Sequence, residues 1–383
     1  MNKQCVIIAR QTIQVAWLTL VVAVLTGCTN DDGVRAADAT RTPIVFEVSS
    51  DAPSNETTRG AILNFMSGTF GLLGSSYSGN WATGHDMNFM YNEAVWGSGT
   101  EWQTSRGYFA PSSVYNLKFF AYYPYYEDIR KGDSPILMSD TTLAATPYFD
   151  YTLPQDAEEQ NDLMYAISEE VKSDPLTGRL DTVRLHFHHL LTAVTVATGE
   201  STEPGIIRKV TLKNIFYQGH FDYDATTIVT SDEDVRDVWA NLDLQSGGVG
   251  SGYVKADADK TFLLLPQPEA FTAPGLEVLY EAAGKTYTFK STLSGLETAL
   301  KTPGSNIVLR LTVNSLQRMR VKAVITEWDH GANFDGAVSD QPVLDLGIAI
   351  SDWGENAGGQ STTSNITTGP NPTVTGYTAP TEP

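Results

Sequence analysis

Three histidines within four positions are the residues of this sequence whose spacing comes closest to a metal site. His186, His188 and His189 lie in an apolar run that predicts a strand. Side chains on a strand alternate between faces, so His186 and His188 share one face and His189 points to the other. Two histidines on one face suit zinc, but no acid or further histidine stands nearby at ligand spacing. We therefore expect packed or hydrogen-bonded histidines, with no metal and no cofactor.

No other pattern in the sequence predicts a catalytic centre. The acidic run 232–234 lacks the alternating ligands and the glycine of a calcium loop, and it reads as a solvated turn. The sequence contains no G-x-S-x-G, P-loop or H-E-x-x-H motif. The paired carboxylates of a glycosidase would need the fold to place them. We expect no catalytic residues, and core packing is the ordinary role of the aromatic residues that a glycan platform would use, namely Trp81, Trp96, Trp102 and Tyr122 to Tyr126.

A cysteine near the start of the chain follows an export signal. Lys3 and Arg10 precede an apolar stretch that is too short for a permanent bilayer span. The stretch ends at Leu25-Thr26-Gly27-Cys28, which resembles the lipobox of bacterial lipoproteins. In that family the cysteine is acylated and becomes the first residue, and several acyl chains make the anchor stable. The resemblance implies a signal peptide at residues 1–27 and a lipidated Cys28 in contact with outer-membrane lipid.

The composition fits an exported chain that is rich in β-structure. The 383 residues carry 25 Lys and Arg against 45 Asp and Glu, a net charge of −20, which argues against nucleic acid as a partner. Cys5 lies in the predicted signal, so the mature chain cannot form an internal disulfide. Short apolar runs at regular spacing, with no amphipathic helix of 15 residues, favour strands. We predict an all-β protein of two antiparallel β-sandwich domains in tandem.

The elements that must position these residues divide the chain into five parts. The first strand alternates, so that Ile44, Phe46 and Val48 share one face. A domain boundary is predicted in the acidic stretch around residue 177, which contains proline and glycine. The predicted parts are a signal peptide at 1–27, a tether and first strand at 28–59, an N-terminal sandwich at 60–177, a C-terminal sandwich at 178–353 and a flexible polar tail at 354–383.

Seven short motifs in order resemble the fimbrillin family, the lipoprotein-derived subunits of type V pili. Each motif is weak alone, but their order from residue 25 to residue 331 is fairly specific. Leu191 and Thr192 depart from the usual small residues of the histidine motif, and the long tail is not a family hallmark. The motifs are Leu25-Thr26-Gly27-Cys28, Ile44-Val45-Phe46 with Thr58-Arg59-Gly60, 119–124 (FFAYYP), 162–166 (DLMYA), 187–191 (FHHLL), 262–267 (FLLLPQ) and 325–331 (ITEWDHG).

The resemblance implies a transthyretin-like fold for each sandwich and assembly by strand exchange. In the family, an arginine-specific protease cuts a loop after the first strand, and here that bond would be Arg59-Gly60. The surrounding polar residues suit an exposed cleavage site. Arg35 and Arg41 precede the strand, so a cut there would not release it. The Arg59 cut would free Ile44, Phe46 and Val48 and leave a groove that a strand of another subunit can fill.

In the family, the donor strand of stalk subunits lies near the C-terminus, and the resemblance makes residues 343–350 the candidate donor here. Its apolar residues recur at every second position, which predicts that they share one face. The other interpretation, which the sequence leaves equally open, is that this segment is the last strand of its own domain. The four apolar residues of the candidate donor face are Leu344, Leu346, Ile348 and Ile350.

The sequence therefore predicts a structural subunit of a surface fimbrium that supports adhesion and has no catalytic activity. We expect an outer-membrane lipoprotein precursor on the cell surface and a mature form in the fimbrium. The expected partners are other pilus subunits, outer-membrane lipid, an arginine-specific protease and, as an open partner, a host glycan or protein receptor. The alternatives are a surface-anchored glycan-binding lipoprotein that is not proteolytically matured and a hydrolase on a β-sandwich. Stalk, tip and anchor roles all stay open.

Overall fold

In the computed structural model, the alternating apolar residues form β-strands, and strands are the main secondary structure of the described residues. The apolar runs at 117–124, 276–280 and 306–313 predict strands from the sequence, and all three form strands, which confirms the all-β prediction. Only short helices interrupt them in this part of the chain: α1 (Glu297–Lys301) and two 3-10 turns, Ala157–Glu159 and Ala258–Lys260. The described residues are 43–50, 68–81, 85–98, 101–111, 114–132, 134–141, 146–175, 179–199, 201, 203–247, 252–327 and 343–352.

The strands are numbered along the chain. They are β1 (Phe46–Ser50), β2 (Thr69–Tyr77), β3 (Met90–Ser98), β4 (Glu101–Thr104), β5 (Asn116–Tyr123), β6 (Ile136–Met138), β7 (Tyr148–Thr152), β8 (Met164–Ile167), β9 (Val171–Lys172), β10 (Val183–His189), β11 (Thr192–Thr198), β12 (Ile206–Phe216), β13 (Gln218–Asp222), β14 (Thr227–Thr230), β15 (Val235–Gln245), β16 (Val254–Lys255), β17 (Phe262–Leu264), β18 (Gly275–Ala282), β19 (Lys285–Thr292), β20 (Ser305–Ser315), β21 (Arg318–Glu327) and β22 (Val343–Asp352).

The first large sheet has the strand order β1-β10-β8-β5-β2-β3-β4, with β9 paired to β5. Its end strands β1 and β4 are in contact, so the sheet curls round on itself. We call the junction between β1 and β4 the seam. A smaller core fills the inside of this sheet and includes Phe70, Phe119 and Phe187, all of them fully buried. All pairs in this sheet are antiparallel except β1 with β10, which run parallel.

The second large sheet has the order β15-β12-β18-β19-β22-β21-β20-β11-β16, with β17 paired to β11. Its one parallel pair within the described residues joins β11 to β20. A smaller four-stranded sheet, β14-β13-β7-β6, combines two strands from each half of the chain. A larger core joins the halves, since it contains Leu73 and Phe149 as well as Leu191 and Phe221. These two sandwich-like or barrel-like sheets confirm the predicted all-β fold class.

The chain changes from the first large sheet to the second at Leu190 and Leu191. The predicted boundary between residues 177 and 178 assigns Val183–His189 to the second domain, yet this strand pairs with β1 and β8 of the first sheet. Leu190 and Leu191 are both buried, so the chain continues from one sheet into the next through the core and not through an exposed linker. The described residues, which end at Asp352, form one compact unit. No described helix is long and apolar enough to cross a membrane.

Candidate functional site

β1 is held at the end of the first large sheet by one neighbouring strand. Its pairing with β10 places Phe46 opposite Val183 and Val48 opposite Leu185. The amide of Val183 donates a hydrogen bond to the carbonyl of Val45 at 2.9 Å. Just before the strand, the amide of Ile44 donates to the carbonyl of Tyr108, also at 2.9 Å. Among the described residues, no second strand pairs with β1 along its other edge.

The inward face of β1 belongs to the smaller core. Phe46 is 2% exposed and Val48 is 4% exposed, whereas Val45 between them is 48% exposed. Ile44 is half-buried and packs against the same core, so the three side chains do share a face. The Phe46 ring meets Phe119 edge to face, with centroids 5.7 Å apart. Burial of Phe46 and Val48 contributes roughly 3–6 kcal/mol at 1.5–3 kcal/mol for each side chain.

The outward face of β1 is polar and pairs with the outward face of β10. Arg184 Nε donates to Glu47 Oε2 at 3.0 Å, and these side chains are 81% and 57% exposed. Ser49 Oγ lies 2.8 Å from His186 Nδ1. Exposed ion pairs contribute little to stability because water screens them. The free energy that holds β1 in place therefore comes mainly from its inward side chains and its backbone hydrogen bonds.

Removal of β1 would leave most of β10 without a neighbour on that side. The other partner of β10 is β8, which pairs with it only through His188 and His189. Within the described residues, the stretch 183–187 takes its strand pairing from β1 alone. An uncovered edge of this kind, above an apolar floor, is a template for another strand. Cys28, Arg59 and Gly60 lie outside the described residues, and Arg59 falls between β1 and β2 in the chain.

The candidate donor β22 lies within the second large sheet. It pairs with β21 along residues 343–350 and with β19 through residues 350–352. In this structure it is therefore a strand of its own sheet, which is the second of the two interpretations that the sequence left open. A role as donor would require β22 to leave this position or to be replaced there.

A β-bulge divides the apolar residues of β22 between two faces. Gly347 pairs with Val321 and Asp345 with Lys322, which leaves Leu346 as the extra residue, and Gly347 has φ 98°. An inserted residue changes the parity of a strand. Leu344 consequently lies opposite the buried Ala323, whereas Ile348 lies opposite the exposed Arg320. The prediction that all four apolar residues share one face is wrong for the strand in its own sheet.

β22 nevertheless exposes an unusual amount of apolar surface for a strand with two neighbours. The exposed fraction is 36% for Leu344, 49% for Ile348 and 55% for Ile350. Val343 is 46% exposed, and Leu346 is half-buried against the larger core. None of these five side chains is fully buried. β22 therefore gains less free energy from apolar burial in its own sheet than full burial of these side chains would give.

The histidines take the faces that alternation predicts. His186 and His188 lie on the outward face of β10, with ring centroids 4.8 Å apart. His189 points inward, and its Nδ1 lies 3.0 Å from Asp162 Oδ1 in a buried pair. The sequence did not indicate Asp162, which is distant along the chain and arrives through the pairing of β8 with β10. The described residues hold no cluster of three or more His, Cys, Asp or Glu that could bind a metal.

The aromatic residues considered for a glycan platform mostly pack inside the protein. Trp102 and Tyr122 are buried, and Trp81 packs against Phe120 with ring centroids 5.3 Å apart. Burial raises the pKa of Tyr126 to about 12. Trp96 is the exposed one among them, on β3. These positions confirm packing as the main role and do not form a row of exposed rings.

Taken together, the two large sheets and the strand held at a seam define an all-β protein in which one strand pairs with a single neighbour among the described residues. The family model described as fimbrillin-like matches residues 70–328, so the chain belongs to the fimbrillin-like family. This confirms the resemblance drawn from the sequence motifs. The family comprises fimbrial and cell adhesion proteins, which places this chain among surface structural proteins. No curated protein matches the chain significantly.

The chain is similar to several solved structures at low sequence identity, and the first of those described here supports the fold. A fimbrial protein from Bacteroides vulgatus is 15% identical with a TM-score of 0.53, covering 74% of this chain and 99% of its own. A candidate cell adhesion protein from Bacteroides uniformis is 16% identical, with a TM-score of 0.47 and coverage of 78% and 100%. The fimbrial anchor protein Mfa2 from Porphyromonas gingivalis is 14% identical, with a TM-score of 0.34 and coverage of 75% and 98%.

Proposed function

We propose that this protein is a structural subunit of a surface fimbrium, assembled by protease-triggered exchange of β1 for a strand of another subunit. The precursor is exported, acylated at Cys28 and held at the outer membrane. An arginine-specific protease then cuts the Arg59-Gly60 bond and separates the lipidated segment from the subunit. β22 of a neighbouring subunit, with Leu344, Leu346, Ile348 and Ile350, takes the vacated place and links the copies.

The observation that carries this proposal is the position of β1. It is buried on one face and, within the part of the chain that the structure describes, pairs with one strand, at the seam of a sheet that curls round on itself. A strand in that position can leave without breaking the pairing between any other two strands. Its departure uncovers a backbone edge and an apolar groove, which are the two features that a donated strand requires.

The exposed apolar residues of β22 support its assignment as the donor. Ile348 and Ile350 remain about half exposed in their own sheet. Extended apolar side chains gain free energy on burial, so transfer of β22 into the groove would bury residues that its own sheet leaves in water. β19 pairs with β22 only at the C-terminal end of β22. β21 pairs along most of β22, so donation must replace mainly the pairing with β21.

The proposal is tested by intact-mass measurement and N-terminal sequencing of the protein from sheared filaments and from membranes. We expect a filament species that begins at Gly60 and acylated Cys28 in the membrane precursor only. Arg59→Ala should abolish the shorter species, and Arg41→Ala, which changes an arginine before β1, should leave it unchanged. A single acylated species starting at Cys28 in every fraction would contradict strand exchange. That result would favour an anchor subunit or a glycan-binding lipoprotein that is not matured.

A further inference from the structure

β1 and β22 carry the same three-residue pattern of an acid between two apolar residues. The pattern is Phe46-Glu47-Val48 in β1 and Leu344-Asp345-Leu346 in β22. In β1 the two apolar side chains point into the smaller core and Glu47 points outward to Arg184. The correspondence suggests how β22 would be placed in the groove that β1 leaves.

We infer that Arg184 sets the register in which a donated β22 replaces β1. Asp345 of the incoming strand takes the place of Glu47 beside Arg184, while Leu344 and Leu346 fill the sites of Phe46 and Val48. This placement keeps the direction of β1, which runs parallel to β10, and sets Leu344 opposite Val183. The inference rests on the strand exchange proposed above and adds the residue that determines the alignment.

Apolar burial alone leaves this register open. Once β22 is extended without its bulge, its four aliphatic side chains recur at every second position on one face. The pairs 344/346, 346/348 and 348/350 would each fill the sites of Phe46 and Val48 with leucine or isoleucine. A slip of two residues keeps the same face inward, so the alternation does not distinguish these registers.

The outward position opposite Arg184 does distinguish them. In the three registers this position is occupied by Asp345, Gly347 or Ala349, and only the first supplies a carboxylate. In its own sheet Asp345 already contacts an arginine, with Arg320 Nη2 and Asp345 Oδ2 3.4 Å apart. Arg184 therefore offers a replacement for the ion pair that Asp345 loses on leaving. Since exposed ion pairs are weak, we expect a preference of roughly two- to fivefold in affinity for this register.

Disulfide trapping between two copies measures which residue of the donated β22 lies opposite Val183 of β10. One copy carries Val183→Cys, and the other carries Leu344→Cys, Leu346→Cys or Ile348→Cys. Cys5 and Cys28 both precede Arg59, so subunits cut there contain no other thiol. Neighbouring strands are about 4.8 Å apart, within the range that a disulfide spans. We expect the Leu344→Cys copy to give the highest yield of linked subunits, and a higher yield with Leu346→Cys or Ile348→Cys would overturn the inference.

Charge variants then test whether Arg184 causes the preference. Arg184→Glu should lower the yield through residue 344 by two- to fivefold and raise the yields through 346 and 348. Asp345→Lys in the donor should restore the preference with Arg184→Glu, which a merely structural role of Arg184 would not produce. Arg130→Glu is the control, because that arginine pairs with Asp140 away from β1. An unchanged distribution in Arg184→Glu would refute the role of Arg184.

The outcomes also separate this inference from the proposed function. Linked subunits in the wrong register would leave strand exchange supported and contradict the role of Arg184 and Asp345. If filaments form from cut subunits but no pair with Val183→Cys is linked, donation by β22 itself is contradicted. In that case the inference fails together with the donor assignment.

Discussion

Phe46 supplies the largest side chain that β1 buries, so it should dominate the stability of the seam. We expect Phe46→Ala to lower the free energy of unfolding of the uncut protein by about 3–5 kcal/mol, as for other large side chains removed from a core. Val45→Ala, at the exposed neighbouring position, should change it by less than about 0.5 kcal/mol. Urea denaturation of the two variants measures the difference. Equal effects would show that β1 is not packed as described.

The buried hydroxyl of Tyr223 should make the free energy of unfolding depend on pH in the alkaline range. This hydroxyl donates to the carbonyl of Ala121 at 2.9 Å, and burial raises its pKa well above the ordinary value of 10.0. A group whose folded pKa is raised stabilises the protein below its unfolded pKa, and that contribution is lost as the pH rises toward the folded pKa. The free energy of unfolding should therefore fall above about pH 10.

The matched variants for this pH effect are Tyr223→Phe and Tyr115→Phe. Phenylalanine cannot ionise, so Tyr223→Phe should lose less stability between pH 9 and 11, by up to about 1.4 kcal/mol per pH unit. At neutral pH the same change should cost about 1 kcal/mol for the lost hydrogen bond. Tyr115 is exposed, so Tyr115→Phe is the control for loss of a hydroxyl outside the core. Parallel denaturation profiles for Tyr223→Phe and the unmodified protein would refute the assignment.

Among single residues, those governed by local alternation were predictable from sequence. Ile44, Phe46 and Val48 face inward, and His189 lies on the other face of its strand from His186. In both strands the two-residue period decides which face a side chain takes. The partner of a side chain is decided by which strands meet. The contact between His189 and Asp162 could not be inferred, since it requires β8 to lie beside β10. Lipidation of Cys28 and cleavage at Arg59 stay predictions.

At the scale of the element, Gly347 determines how firmly β22 stays in its own sheet. Its φ of 98° is a conformation that residues with a side chain rarely adopt. Gly347→Ala should destabilise this bulge by about 1–3 kcal/mol and speed hydrogen exchange along β22. Gly132→Ala, at an open position without positive φ, is the control. Unchanged exchange in Gly347→Ala would mean that the bulge does not limit the opening of β22.

The elements show which features of a sheet the sequence cannot specify. The strands themselves follow from apolar runs, and β5, β18 and β20 lie close to where they are predicted. The sequence does not indicate the bulge in β22, because a glycine after a leucine fits both a regular and a bulged strand. β10 was assigned to the second domain because the acidic stretch before it resembles a linker. Its pairing with β1 and β8 depends on contacts between distant segments, to which a local composition change gives no guide.

At the scale of the whole molecule, the two cores separate what the proposed strand exchange would change from what it would preserve. β1 contributes to the smaller core only, together with β10, β5 and β2. The larger core takes its residues from both halves of the chain and does not include β1. Loss of β1 should therefore loosen the first large sheet while the second large sheet and the four-stranded sheet stay folded. In the proposed assembly, the subunit would open one groove while the rest of its fold stays intact.

This division predicts the behaviour of the protein after cleavage in vitro. Cut at Arg59, the N-terminal segment should remain bound, because Phe46, Val48 and the hydrogen bonds to β10 still hold it. A synthetic peptide of residues 343–352 should displace it, and a peptide with Leu344→Asp and Leu346→Asp should not, since charged side chains cannot enter the apolar sites. Size-exclusion chromatography with mass detection measures the released segment.

Hydrogen exchange should rise in β10 when the segment leaves without a replacement, and protection should persist in β12 and β18. Release without any peptide, or loss of protection throughout the chain, would show that β1 is not an exchangeable strand.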